Sequence, residues 1–346
     1  MRTVARILVA LAVLIPVSQP VVANAGGSTN VTVMTRNLYL GSDLTPALAA
    51  PDAFAFLGAV AQIWGNVLAN DFPTRAGALA DEVASAHPDL IGLEEVSRWT
   101  VVGDSPTPSM DYLAILQAQL VARGLHYDVA AVSDNAHIGT IPLLGPACSS
   151  PAFGACGLVF DDRDVILVNH DRPGLSTSGA RHGTYVNQEV AQTSVGPLSF
   201  SRGWATTQVT LAGHRFRFAV THLETEDAPV VQQAQGREFA AAVKTQGPVI
   251  AVGDFNSASD GSNTPTYADL TSDYFRDAAA GVGNTCCQAN LLDNATSLLH
   301  ERIDLVLTHA NALPVSASRT GAVPFQATAP RWATDHAGVV ATLRLP

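Results

Sequence analysis

Lysine is almost missing from this chain. Lys244 is the only one among 346 residues, and acidic side chains outnumber basic ones 30 to 19. A formal charge of −11 repels polyanions unless arginines gather locally or a divalent cation supplies positive charge. Long apolar runs are absent beyond the N-terminus, so no other segment is expected to span a bilayer. Low-complexity linkers and internal repeats are absent too, which leaves no obvious place to divide the chain. Cysteine is scarce. There are four and no C-x-x-C pair, which argues against a structural zinc site.

What is present begins with a targeting signature. Arg2 and Arg6 precede the apolar run Ile7–Val17, and small residues follow in Val22-Ala23-Asn24-Ala25. That order reads as a signal peptide, residues 1–25, cleaved after Ala25. The run is short for a membrane anchor, and Pro16 and Pro20 interrupt its end. The mature chain, residues 26–346, is expected to be a single secreted domain and a monomer, with 17 basic and 30 acidic side chains. Export permits disulfides. Cys148 and Cys156 bracket a Pro/Gly/Ser-rich loop and are expected to pair. The adjacent Cys286 and Cys287 either bridge one another or stay reduced.

Val31–Asn37 reads as a strand and Ala47–Ala69 as an alanine-rich helix, broken at Phe72-Pro73. A second helix is predicted from an N-cap at Thr74 to a stop at Pro88. Leu90–Leu93 is a short apolar strand that delivers Glu94 and Glu95. Met110–Arg123 has helical spacing and stops at Gly124. Strands are expected near 127–133, 157–160 and 164–169, with 134–156 a long loop. Trp204–Leu211 and Arg215–His222 form a hairpin turned at Ala212-Gly213. Pro229–Gln246 is a helix, 248–254 a buried strand and Thr264–Asp273 a short helix. Ile303–Thr308 and Ala337–Leu343 are closing strands. Strands alternating with helices, with hairpins added, mean mixed α/β.

Polar residues stand at the ends of these apolar runs, which is how a sheet presents chemistry at one edge. GDFN, residues 253–256, follows a fully apolar strand. Asp254 and Asn256 are two apart, so extended backbone puts both on one face. There a carboxylate and a carboxamide can hold an attacking water and a phosphoryl oxygen. Taken alone, GDFN is as readily a turn. Glu94 and Glu95 point to opposite faces, so at most one serves a given site. Asn37, whose amide oxygen suits a hard cation, would be the partner of Glu95. Asp304 sits inside an apolar run, where an unpaired carboxylate is costly. Pairing it with His336 removes that cost and raises the imidazole pKa. A structural Asp–His bond and a satisfied strand-end histidine at His222 are the plainer alternatives.

The ordered set is Asn37, Glu95 in LEEV, THLE at 221–224, GDFN, RIDLVL at 302–307 and Asp335-His336. It resembles the endonuclease/exonuclease/phosphatase superfamily, the group that includes DNase I and bacterial sphingomyelinases. The resemblance covers Val31 to Leu345. It implies a four-layer α/β sandwich, two mixed β-sheets face to face with helices on the outside, and a site at one edge. It also implies metal-dependent phosphoester hydrolysis. Asn37 and Glu95 would bind the metal, with Asp335 as a further contact. The ion would be Mg2+, with Mn2+ or Ca2+ as alternatives. Asp254 and Asn256 would orient the nucleophile and steady the transition state, and Asp304 and His336 would form an Asp–His dyad. His222 matches the histidine of the DNase I and sphingomyelinase branches. Two departures stand out. Glu94 occupies a position where the family often has Gln, and no carboxylate partner for His222 can be placed, Asp161, Asp162 and Asp164 being weak candidates. Arg202 and Tyr185 are candidate phosphate contacts without a spacing to fix them.

The expected activity is phosphodiester hydrolysis by in-line attack of an activated water, first on nucleic acid. A sphingomyelinase-like phospholipase C acting on a phospholipid head group is the alternative. In that reading the apolar loop Ile138–Pro146 touches a membrane; its plainer role is a cover over the sandwich edge. A non-catalytic binding module on the same fold is the third reading, which the intact motifs disfavour.

Overall fold

The computed structural model describes residues 27–103, 109–144 and 154–346. The expected signal peptide 1–25, Pro146 and Cys148 lie outside the described residues, so the Cys148–Cys156 pairing does too. The first sheet runs in the order β15 (Leu313–Thr320), β16 (Gly338–Leu345), β1 (Thr29–Asn37), β2 (Leu90–Glu94), β6 (Cys156–Asn169), β3 (Arg98–Gly103), β4 (Met110–Asp111). Strand β5 (Tyr127–Pro142) also pairs with β6. The second sheet runs β13 (Arg276–Asp277), β14 (Asp304–His309), β12 (Val249–Asp254), β11 (His214–His222), β10 (Gly203–Leu211), β7 (Leu175–Thr184). A small ribbon joins β8 (Val190–Thr193) to β9 (Gly196–Ser199). Each large sheet holds one parallel pair, β1–β2 and β11–β12, among antiparallel neighbours.

Alternating side chains build the layers. Val33, Leu90 and Ile166 of the first sheet meet Phe218, Ile250 and Val306 of the second. At Gly92 the sheets come so close that a Cβ would collide with Val252 and Val220. The other face of the first sheet, with Met34, Ile91 and Leu167, packs under α1 (Thr45–Leu48), α2 (Ala53–Ala69), α3 (Phe72–Ala86) and α4 (Tyr112–Val121). The outer face of the second sheet, with Ala251 and Leu305, packs under α5 (Pro229–Val243) and α6 (Thr266–Asp273). The result is the expected four-layer sandwich. Among the described residues no single helix is long and apolar enough to cross a membrane.

Three local expectations change. Pro51 splits the first helix, and Asp52 caps the second part by accepting Ala55 N–H at 2.8 Å. The first helix does end at Ala69, with a 49° bend into α3, and Pro73 sits in the first turn of α3, where a missing N–H costs nothing. The helix therefore begins at Phe72 and not after Thr74. The loop expected at 134–156 is strand as far as Pro142, paired to β6 through two register shifts. Those bulges break the two-residue period on which a strand is read. Of the apolar stretch expected to touch a membrane, Ile138 and Leu143 are buried under the helices of the first sheet, Gly139 and Thr140 are exposed, and Gly145 and Pro146 lie outside the described residues.

Candidate active site

The ends of the two parallel pairs meet at one edge of the sandwich. Asn37 closes β1, and its Nδ2 donates to Asp254 Oδ2 at the end of β12, 3.1 Å away. Register does the rest in the second sheet: His222 lies beside Asp254, and Asp254 lies opposite Asp304. The glycine of GDFN is required there, because a Cβ at Gly253 would overlap the Thr221 carbonyl.

Glu95 stands one residue past β2 with a left-handed φ of 52°, uncommon outside glycine and asparagine. Its Oε1 accepts Asn37 Nδ2 at 3.1 Å and its Oε2 accepts Leu40 N–H at 2.6 Å. Asn37 is fixed by Tyr39 N–H, which donates to its Oδ1 at 2.9 Å, leaving that oxygen one lone pair. Glu94 turns the other way. It is fully buried, and Thr35 Oγ1 donates to it at 2.9 Å. Burial, then Asp304, hold its pKa well above the ordinary carboxylate value. Glu95→Gln should therefore cost about a hundredfold or more in turnover, while Glu94→Gln, which preserves the shape and the bond from Thr35, should cost little. Steady-state rates of the two variants check this; equal losses would overturn the division of labour.

Asp304 and His336 form the expected pair, Nδ1 to Oδ2 at 2.8 Å. Burial pulls the His336 pKa down, but Asp304, Asp254 and Asp335 outweigh it and hold the imidazole well above its usual value. Its Nε2 faces Asp254 Oδ2 at 3.7 Å. Two buried arginines that the sequence reading missed hold this region. Arg36 donates to His336 O at 2.6 Å and to Thr334 Oγ1 at 2.7 Å. Arg75 donates to Leu38 O and Ala333 O, both at 2.9 Å. Arginines that serve carbonyl oxygens leave no motif.

His222 has an arginine, not a carboxylate, on its Nδ1. Arg202 Nη1 lies 3.0 Å away and can only donate, so Nδ1 must be the acceptor. The ring proton then sits on Nε2, aimed past Asp254 Oδ2 at 3.5 Å. Asn256 Nδ2, 3.1 Å from the same Nε2, cannot donate to it in this tautomer; it donates to Leu223 O at 2.9 Å. Burial, then Arg202, keep the His222 pKa well below normal, so the ring is neutral. Asp162 and Asp164 are buried near Arg202, whereas Asp161 pairs outward with Arg98 and His137. Tyr185 is no phosphate contact: it is buried with its hydroxyl against Thr221 Oγ1.

These residues fit a divalent cation. Asp254 and Asp335 are each pushed up to about 7, burial being the first cause; Asp304 adds to the shift at Asp254 and Glu95 adds at Asp335. Asp335 Oδ1 and Asp304 Oδ1 are buried without a partner. Carboxylates gathered this way bind protons when no cation is present. The native chain then holds protons that the unfolded chain releases above the ordinary 3.8, so this stability is present at low pH and lost as pH rises through about 7. His336, raised above 6.5, acts in the same sense; His222, lowered, acts against it. The Tm of EDTA-treated protein should fall between about pH 5 and about pH 8, and Mg2+ should flatten the slope by replacing the protons. Thermal melts with and without Mg2+ measure this, and a metal-free Tm that climbs over that range would contradict it.

A sequence profile of the Endonuclease/Exonuclease/phosphatase family matches residues 63–336. The chain belongs to that family and is a metal-dependent phosphoric ester hydrolase. Solved structures share the fold at low identity. A family member from Bacteroides thetaiotaomicron has a TM-score of 0.58 at 13% identity, covering 92% of this chain and 96% of its own. One from Beutenbergia cavernae has 0.56 at 22% identity, covering 91% and 72%. TDP2 of D. rerio, complexed with single strand DNA product, has 0.55 at 14% identity, covering 91% and 99%. No curated protein matches the chain.

Proposed function

We propose that this is an exported phosphodiesterase that cleaves P–O bonds by in-line attack of a water activated at Asp254. The position of Asp254 carries the reading. Its Oδ2 receives Asn37 and lies 3.5 Å and 3.7 Å from the Nε2 atoms of His222 and His336. A carboxyl near 7 is suited to take a proton at neutral pH. A divalent ion held by Glu95 and Asp335, with the free lone pair of the Asn37 amide oxygen, would neutralise charge on the phosphoryl oxygens. Neutral His222 donates its Nε2–H to a phosphoryl oxygen. Protonated His336, held by Asp304, offers its Nε2–H to the leaving oxygen. Asn256 lies beside His222 and steadies that side of the site; its N–H donates to Asp254 Oδ1 at 3.0 Å.

Nucleic acid is the first substrate class, and the DNA-product complex of D. rerio TDP2 supports it by fold analogy. The cleft beside Glu95 supports a second. It holds about 340 Å³, and its walls carry Asp43, Asp162, Glu189, Glu224 and Asp227 against Arg202. It adjoins an apolar pocket with which it shares Leu44, Leu48, Phe160 and Phe200. Such walls suit a diester with a cationic or apolar end, such as a phospholipid head group, better than a polyanion. With Mg2+, bis-p-nitrophenyl phosphate should be hydrolysed, EDTA should abolish the activity and Mg2+ should restore it. Plasmid DNA, RNA and vesicles of sphingomyelin or phosphatidylcholine then separate the substrate classes. Inertness toward every diester would refute the proposal.

A further inference from the structure

Two of the four cysteines stand against the Asp–His dyad. Cys286 and Cys287 are bonded to each other, one residue apart. A bridge between sequence neighbours closes no loop, so loop entropy gives it little part in stability. Its position is more informative. Gln288 N–H donates to Asp335 O at 2.8 Å, and Ala337 N–H donates to Thr285 O at 2.7 Å. The cysteine segment and the His336 segment are thereby clamped together on both sides. Cys287 Sγ lies 3.7 Å from His336 Nε2, the nitrogen that faces Asp254. Ligand atoms of Cys286, Cys287 and His336 all lie within 4.8 Å of one another. Cys286 is buried and Cys287 partly exposed, so the pair opens toward solvent at one sulfur.

We propose that Cys286, Cys287 and His336 form a thiol-gated site for a soft divalent metal such as Zn2+, which switches hydrolysis off in the reduced protein. Two sulfurs and one imidazole nitrogen are a zinc donor set, with a fourth position left for water. Hard Mg2+ does not compete for thiolates. Opening the gate needs a dithiol reductant. It supplies two electrons, the S–S bond breaks, two protons end on the cysteine sulfurs, and the dithiol closes to its own disulfide. On metal binding the two thiol protons and the His336 Nε2 proton pass to solvent. The imidazole can then no longer donate to a leaving oxygen. A small-molecule disulfide restores the bridge: it takes up the two electrons and two protons and leaves as two thiols, the metal is released, and His336 Nε2 regains its proton from solvent. The inhibition rests on the hydrolase reading above; the metal binding does not.

The test has two independent readouts on the full mature chain. Reduced, metal-free protein titrated with Co2+ or Cd2+ should show thiolate-to-metal charge-transfer absorption saturating at one equivalent. Oxidised protein, reduced protein alkylated with iodoacetamide, and the Cys286→Ser/Cys287→Ser variant should show none. With Mg2+ present, Zn2+ should lower bis-p-nitrophenyl phosphate hydrolysis by the reduced enzyme about a hundredfold, the scale of losing an acid–base group. The oxidised enzyme and the double serine variant should each keep their own zinc-free rate. No charge transfer in reduced wild-type protein, whether folded or not, overturns the site. Equal zinc inhibition of the oxidised and reduced forms overturns the gate. An enzyme inert toward every diester but showing the charge transfer would refute the phosphodiesterase reading and leave the metal site standing.

Discussion

Asp254→Ala should lower kcat on bis-p-nitrophenyl phosphate by about a thousandfold or more, the upper range for a group that takes a proton and also organises charge. Its carboxylate is where four residues of the site converge. Asn37 donates to it, Asn256 N–H donates to its second oxygen, and both imidazoles face it. Asp254→Asn should be nearly as inactive, since the amide keeps the shape and loses the proton acceptor. The two variants differ in a second measurement. With its pKa pushed up to about 7, Asp254 is costly to ionise at neutral pH without metal. The isosteric change to the amide should therefore leave the metal-free Tm at or above wild type while abolishing activity, a trade of stability for function. Asp254→Asn with a tenth of wild-type kcat would remove Asp254 as the base.

Much of this edge is legible in the sequence, for a physical reason. A buried strand must be apolar, so a polar residue at its end is conspicuous: Asn37, His222, Asp254 and Asp304 all announce themselves that way. Gly253 and Asp254 share one cause, a strand pressed against Thr221 that then turns. What stayed hidden lies in backbone and in cations. The left-handed turn at Glu95 and the one at Asn256, φ 48°, have no signature in residue type at Glu and only a weak one at Asn. Arg202 on His222, and Arg36 under the His336 loop, join segments 20 and 300 residues apart. No local spacing records such a contact. Strand β5 was read only as far as residue 133 because bulges scramble its period beyond that, and β7 and β15 were missed because most of their side chains are exposed on both faces.

Asp304→Ala and His336→Ala should each reduce kcat severely, by about a hundredfold to ten-thousandfold, and the double variant should be little worse than either alone. Asp304 is fully buried, and His336 Nδ1 at 2.8 Å is its hydrogen-bonded cation. Without Asp304 the imidazole loses the first of the carboxylates that hold its pKa up, and burial then favours the neutral ring. The leaving oxygen would meet a group without its proton, so Asp304→Ala should also move the alkaline limb of the kcat profile to lower pH. Without His336, Asp304 becomes an uncompensated buried carboxylate, and the metal-free protein should lose stability as well as activity. Asp304→Asn separates the two effects. The amide fills the space and spares the protein the stranded charge, yet cannot hold the imidazolium, so the Tm should recover while kcat does not. Additive losses in the double variant would mean that the two residues serve different steps, and His336 would then act without its buried partner.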